Sequence, residues 1–154
     1  MKLLKVLDGR VAPTLALFVI VISAELGCNA TSSTVGGGPS MQIYYLEIVT
    51  KDVDAVCAAY SAANGVQFGK PDSGLGNART APLPENGLVG VRAPMRETEE
   101  PVVRPYWLVP DIKAAVASVV EAGGEIAHPP MEIPGHGTFA IYIQGGIQHG
   151  LWQR

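Results

Sequence analysis

Two stretches of this 154-residue chain follow one plan. The first, from Tyr44, reads YYLEIVTKDVDAVCAAYSAANG. The second, from Tyr106, reads YWLVPDIKAAVASVVEAGG. Each has an apolar strand, an Asp, an alanine-rich helix and a glycine stop. Superposing Asp52 on Asp111, 59 positions apart, puts Val53 on Ile112, Ala55 on Ala114, Ala58 on Ala117 and Gly65 on Gly124. Strand, cap, helix length and stop match together, so the chain repeats one supersecondary unit. A single such unit cannot cover both of its faces, and a second copy supplies the missing surface.

The rest of each repeat can be drawn from local signals. Asp52 is placed to cap a helix over 53–63, with Val53, Val56, Cys57 and Tyr60 on one apolar stripe. Short strands are expected at 66–68, 77–82 and 87–93, with a turn-rich loop at 70–76 and a proline-glycine turn near 82–87. In the second unit Asp111 caps a helix over 112–122, whose stripe is Ile112, Ala115, Val116 and Val119. A strand at 125–127, a proline-rich turn holding His128, Pro129 and Pro130, and strands at 138–143 and 148–153 follow. The order is β-α-β-β-β twice, with modules of about 42–94 and 104–154. Residues 95–101 join them, and the acidic run Glu97, Glu99, Glu100 reads as a solvated loop.

Alternation along the strands sorts the side chains. Tyr44, Leu46 and Ile48 should pack on the first helix, which leaves Tyr45 and Glu47 on the opposite face. By the same parity Arg104 and Tyr106 face away from the second helix, as does Arg92. Two modules can set these open faces around a common hollow. Tyr45, Tyr106 and Trp152 would then be aromatic walls, and Arg92 and Arg104 would be carboxylate- or phosphate-binding groups. Glu47, a carboxylate on an apolar strand, is the candidate general base, or else the ion-pair partner of one of those arginines. His128, His136 and His149 read singly as structural or solvated. A site built from Glu47, His136 and His149 would need a loop folded inward.

Composition closes off other classes. The net charge is −3 and no basic patch stands out, so nucleic acid is not an expected partner. The two cysteines, Cys28 and Cys57, have no zinc spacing, and Cys57 lies on a helix stripe as a small buried apolar group. No Ser/His/Asp order or phosphate loop is present, and the glycines at 36–38 have no strand before them or helix after them.

The N-terminal region reads as an export signal. Lys2, Lys5 and Arg10 precede an apolar run that is unbroken from Leu15 to Ile22, shorter than the roughly 20 residues of a membrane span. Residues 1–27 are therefore expected to be a signal peptide and 28–40 a flexible polar linker. The globular domain would cover 41–154. Ala24-Glu25-Leu26-Gly27-Cys28 resembles the lipobox of bacterial lipoproteins, with Leu26 one place later than usual. The resemblance implies lipidation at Cys28 and a membrane anchor. Without it, the expected location is periplasmic or extracellular.

PYWLVPDIKAAVASVVEAGGEIAHPP, IPGHGTFAIYI and the closing HGLWQ resemble a glyoxalase-like branch of the vicinal oxygen chelate (VOC) superfamily, the glyoxalase/bleomycin-resistance/dioxygenase group. YLEIVTKD resembles that branch's first-module opening. The resemblance covers about residues 42–154. It implies an α+β fold of paired βαβββ modules forming a half-open sheet around a central hollow. Metal enzymes of the group carry His, Gln or Glu on the first strand of each module and further ligands on the last strands. The corresponding positions here are Tyr45, Glu47, Arg104, Tyr106 and Gly150. Only Glu47 is a normal ligand, and one carboxylate does not hold a divalent ion. No metal site and no cofactor are therefore expected. The expected function is an exported glyoxalase-like domain that binds a small anionic or aromatic molecule, with a homodimer compatible with the fold. The alternative is a metal-dependent lyase, isomerase or dioxygenase with Glu47 as ligand or base. A purely structural lipoprotein domain is a third reading, disfavoured by the polar residues expected in the hollow.

Overall fold

The computed structural model describes residues 40–154. The expected signal peptide, nearly all of the expected linker, and Cys28 lie outside the described residues. The elements are β1 (Ile43–Val49), α1 (Val53–Asn64), β2 (Pro71–Asp72), β3 (Ala78–Leu83), β4 (Gly87–Arg92), β5 (Val102–Leu108), α2 (Ile112–Glu121), β6 (Glu125–Ile133), β7 (Gly137–Gln144) and β8 (Ile147–Gln153). The fold is the expected α+β arrangement of two βαβββ modules. All eight strands form one sheet, in the order β2-β3-β4-β1-β5-β8-β7-β6. Each module thus contributes four adjacent strands, and the modules join where β1 pairs antiparallel with β5. Inside the modules β1 runs parallel to β4, and β5 parallel to β8.

The helices cover one face of the sheet. Cys57, Val53 and Val56 of α1 pack on Leu46, Ile48, Val89 and Val91. Ile112, Ala115, Val116 and Val119 of α2 pack on Trp107, Ala140, Tyr142 and Leu151. Full burial of a side chain such as Ile48, Val89, Val91, Ile112 or Leu151 contributes about 1.5–3 kcal/mol. Burial also raises the pKa of the Cys57 thiol. On the other face a third cluster gathers Tyr45, Leu75, Ala78, Tyr106 and Trp152 and contains no residue of either helix. That face holds the hollow.

Several local expectations are corrected. Tyr44 does not sit on α1. It packs with the hollow's aromatic cluster, its ring centroid 5.5 Å from that of Trp152. A register irregularity between Ile43 and Tyr45 in the β1–β5 pairing breaks the alternation there. Tyr60 closes the sequence stripe of α1 yet remains 38% exposed, beyond the reach of the sheet. The short strand expected at 66–68 is irregular chain, although Val66 and Phe68 still pack against the α1 cluster, and β2 forms later, at Pro71–Asp72. The proline-rich turn is instead part of β6. Pro129 and Pro130 lie between the paired positions His128 and Met131, across a register shift. An edge strand tolerates prolines at such a bulge because no neighbour needs their missing N–H groups.

The two caps also differ. The Asp111 carboxylate accepts from Lys113 N and Ala114 N at 2.9 and 3.0 Å, a contact that stabilises a helix start by about 1 kcal/mol. Asp52 makes no such side-chain bond. Gly65 ends α1 in the left-handed region at φ 67°, donating its N–H to Ser61 O at 2.9 Å.

Candidate functional site

The floor of the hollow is built from strand positions that share one parity. In the β1–β5 pairing Tyr45 stands opposite Tyr106, and Glu47 opposite Arg104. β4 adds Arg92 and β8 adds Gln148 and Trp152. Glu47, Arg92 and Arg104 are all at least 94% buried. Isolated charges at that depth are strongly disfavoured, so each must be paired. Glu47 Oε1 accepts from Arg92 Nε at 2.6 Å. Its Oε2 accepts from Arg104 Nη1 and, at 3.0 Å, from the Tyr106 hydroxyl. Arg104 also donates through Nε (3.1 Å) and Nη2 to Gln148 Oε1. The outer edge of Arg92 donates in a fork to Glu99, from Nη2 at 2.6 Å and Nη1 at 2.9 Å. Arg92 Nη1 further donates to Ala93 O at 3.0 Å.

The electrostatics follow from these pairs. Burial works against the charge on Arg92, but the Glu99 and Glu47 contacts override it and raise its pKa. The same opposition, with Glu47 dominant among the raising contacts, raises Arg104. Burial first, and then the negative charge of Glu47, pushes the Tyr45 and Tyr106 hydroxyls well above the ordinary tyrosine range. Hydrogen bonding to Arg92 lowers the Glu99 carboxyl to about 2 despite some burial.

The walls are aromatic. The Trp152 ring lies 5.5 Å from Tyr45, 5.6 Å from Tyr106 and 6.2 Å from Phe139, centroid to centroid. Its Nε1 donates to His136 O at 3.0 Å, which ties the β6–β7 turn to the wall. His128 stacks on Phe139 at 5.0 Å. The cavity enclosed by floor and walls has a volume of about 540 Å³. Met95 and Met131, 63% and 47% exposed, also line it.

No family model matches the chain, and no curated protein matches it. Solved structures do. A hypothetical protein from Bacillus halodurans C-125 superposes with a TM-score of 0.59 at 13% identity, covering 75% of this chain and 95% of that one. Methylmalonyl-CoA epimerase from Mycobacterium tuberculosis superposes with a TM-score of 0.57 at 14% identity, over 72% and 86% of the two chains. A variant of the Streptomyces coelicolor methylmalonyl-CoA epimerase, in complex with 2-nitronate-propionyl-CoA, gives 0.55 at 18% identity, over 74% and 95%. The chain shares the paired βαβββ fold of these proteins.

Within that fold, all six residues expected to face the hollow do line one cavity: Tyr45, Glu47, Arg92, Arg104, Tyr106 and Trp152. The ion-pair role for Glu47 is present in full, with two arginines rather than one. Glu99 is the main correction. It is the partner of Arg92 and lines the cavity, whereas its neighbours Glu97 and Glu100 are exposed as expected of a solvated loop. Gln148 is an addition. It shares the parity of Gly150 and Trp152 on β8, and that alternation was the available signal. Phe139, placed from β7, and His128, placed on the ring of Phe139, are further additions.

The other histidines do not join the floor. His136 faces Asp72, with Nε2 to Oδ2 at 3.3 Å, and His149 stacks on Tyr142 at 5.1 Å, on the helix side of the sheet. Among the described residues no group of three His, Cys, Asp or Glu side chains is arranged to hold a metal. Both oxygens of Glu47 are engaged by guanidinium groups, and Glu99 is held in a guanidinium fork.

Proposed function

We propose that this domain binds a small, largely aromatic molecule in the hollow between its modules. The body of the ligand lies against Tyr106, Phe139 and Trp152, and its polar end lies over Arg92, Arg104 and Gln148. One observation carries the reading: a cavity of about 540 Å³ with aromatic walls over a buried floor whose charges are all paired. That volume is on the scale of small-molecule sites, roughly 300–1,000 Å³, and the pattern of apolar walls with a few convergent polar groups is theirs. Solved structures of similar fold include an epimerase in complex with 2-nitronate-propionyl-CoA, which supports a ligand-holding role for the hollow.

Binding is favoured over metal-dependent turnover. Ligation by Glu47 would compete with its pairs to Arg92 and Arg104 and leave one buried positive charge uncompensated, since only Glu99 would remain to balance the two arginines. The basic and apolar leader, and the polar linker behind it, support an exported domain.

The reading is tested by nuclear magnetic resonance on the full chain with a panel of single-ring fragments. The expected result is saturable binding with shifts confined to the side chains of Tyr106, Phe139 and Trp152. The competing metal reading is tested by adding Zn²⁺, Ni²⁺, Mn²⁺ and Fe²⁺ in the same measurement. Stoichiometric metal uptake that is lost in Glu47→Ala would overturn metal-free binding.

A further inference from the structure

We infer that Glu99 is a built-in stand-in for the carboxylate of the ligand. On this view the hollow takes aromatic monocarboxylates, which displace Glu99 from the guanidinium fork of Arg92. The inference rests on the reading of the hollow as an aromatic site and adds the ligand's charge.

The two glutamates of the floor are held very differently. Glu47 sits in the middle of β1, and its oxygens take three donors from β4 and β5. Glu99 sits outside any strand or helix, in the connection between modules. Among the described residues it is the one side chain of 93–101 that hydrogen-bonds beyond that segment. Its other bonds are local: its carboxylate accepts from Met95 N at 2.7 Å, and its N–H donates to Arg96 O at 3.0 Å. Its side chain is 22% exposed at the cavity edge, against 8% for Glu47. Moving Glu99 away therefore breaks one fork and no strand pairing.

The charge count shows what would replace it. With Glu99 in place, Arg92 and Arg104 face Glu47 and Glu99, and the floor is neutral. With Glu99 displaced, the floor carries one positive charge on a buried group, which is strongly disfavoured without a partner. The vacated Nη1 and Nη2 of Arg92 present two parallel N–H donors, the geometry that selects a carboxylate. Tyr106, Phe139 and Trp152 line the same cavity, where the ring of such an acid would lie. A neutral aromatic gains nothing from the exchange.

The experiment is calorimetric titration of the full chain and of Glu99→Ala with benzoates and phenylacetates, each matched to its neutral amide. Removing the internal competitor raises the fraction of binding-competent protein, and apparent affinity rises in proportion. The expected result is that Glu99→Ala binds the acids at least about tenfold more tightly than the parent, with the amides unchanged. Adding Arg92→Gln to Glu99→Ala should abolish the gain, while an unchanged near-ultraviolet circular dichroism spectrum shows that the aromatic packing of the hollow is intact. Equal changes for acids and amides, or amide binding with no gain for the acids, overturns the exchange and leaves the proposed function standing. Failure of every acid and amide with both proteins overturns both.

Discussion

Gly90 and Gly150 occupy matching places in the two modules, and each is covered by a tyrosine. Gly90 is the β1–β4 partner of Glu47, and Gly150 is the β5–β8 partner of Tyr106. A Cβ on Gly90 would lie 2.1 Å from the Tyr45 hydroxyl, and one on Gly150 would lie 2.0 Å from Tyr106 Cδ1. The rings occupy the room that side chains would need. Gly150→Ala is therefore expected to lower stability by about 1–3 kcal/mol, the usual cost of overpacking. Tyr106→Ala in the same chain should recover part of that loss, because it opens the space. Urea midpoints check this, and simple additivity of the two changes would count against it.

Glu47 sets the charge balance of the floor. Glu47→Ala leaves Arg92 and Arg104 buried with half their partners gone, and an expected loss of about 3–5 kcal/mol follows. Tyr106→Phe removes one neutral donor from the same carboxylate and should cost about 1 kcal/mol. Thermal unfolding of the two variants side by side gives the comparison. A Glu47→Ala protein as stable as Tyr106→Phe would mean that the pairs are not formed in solution.

Tyr45 has the opposite expectation. Its hydroxyl is buried with no hydrogen-bond partner among the described residues. Leaving a buried hydroxyl unpaired costs about 1–3 kcal/mol, so Tyr45→Phe should be neutral or stabilising. Because its pKa is raised, Tyr45 should also contribute nothing to tyrosinate absorbance through the ordinary tyrosine range. The ultraviolet alkaline titration of Tyr45→Phe should therefore overlay the parent there, while a missing transition would refute the burial.

Glu99 makes stability depend on acid. Its folded value of about 2 lies below the ordinary 4.5, so the folded state favours the charged form. Its stabilising contribution is therefore fully present above the ordinary glutamate range and is lost as pH falls toward 2. The stability gap between the parent and Glu99→Gln should be constant near neutrality and close across that acidic window. Denaturant midpoints at a series of pH values measure it. A gap that persists undiminished at the acid end would rule out the Arg92 fork as its source.

Most of the fold was legible because it depends on periodicity and on the repeat. Asp52 over Asp111 located both helices, and the parity of Tyr45, Glu47, Arg104 and Tyr106 located the floor. The losses came where one residue breaks a period or a connection folds back on the strand before it. The irregularity beside Tyr44 shifts one ring to the other side, and Pro129-Pro130 looks like a turn until an edge strand absorbs it. Glu99 resembles its exposed neighbours Glu97 and Glu100 in every local respect. What puts it beside Arg92 is the fold-back of the chain that leaves β4, which no pattern in the sequence marks.

The neutral floor has a kinetic consequence. Two guanidinium groups and two carboxylates within one small volume cancel at a distance, so the floor itself casts little field into solvent. The floor therefore does not steer a charged ligand, and any ionic-strength dependence of its association falls to exposed rim groups such as Arg96. Selection between molecules is left to the moment of contact.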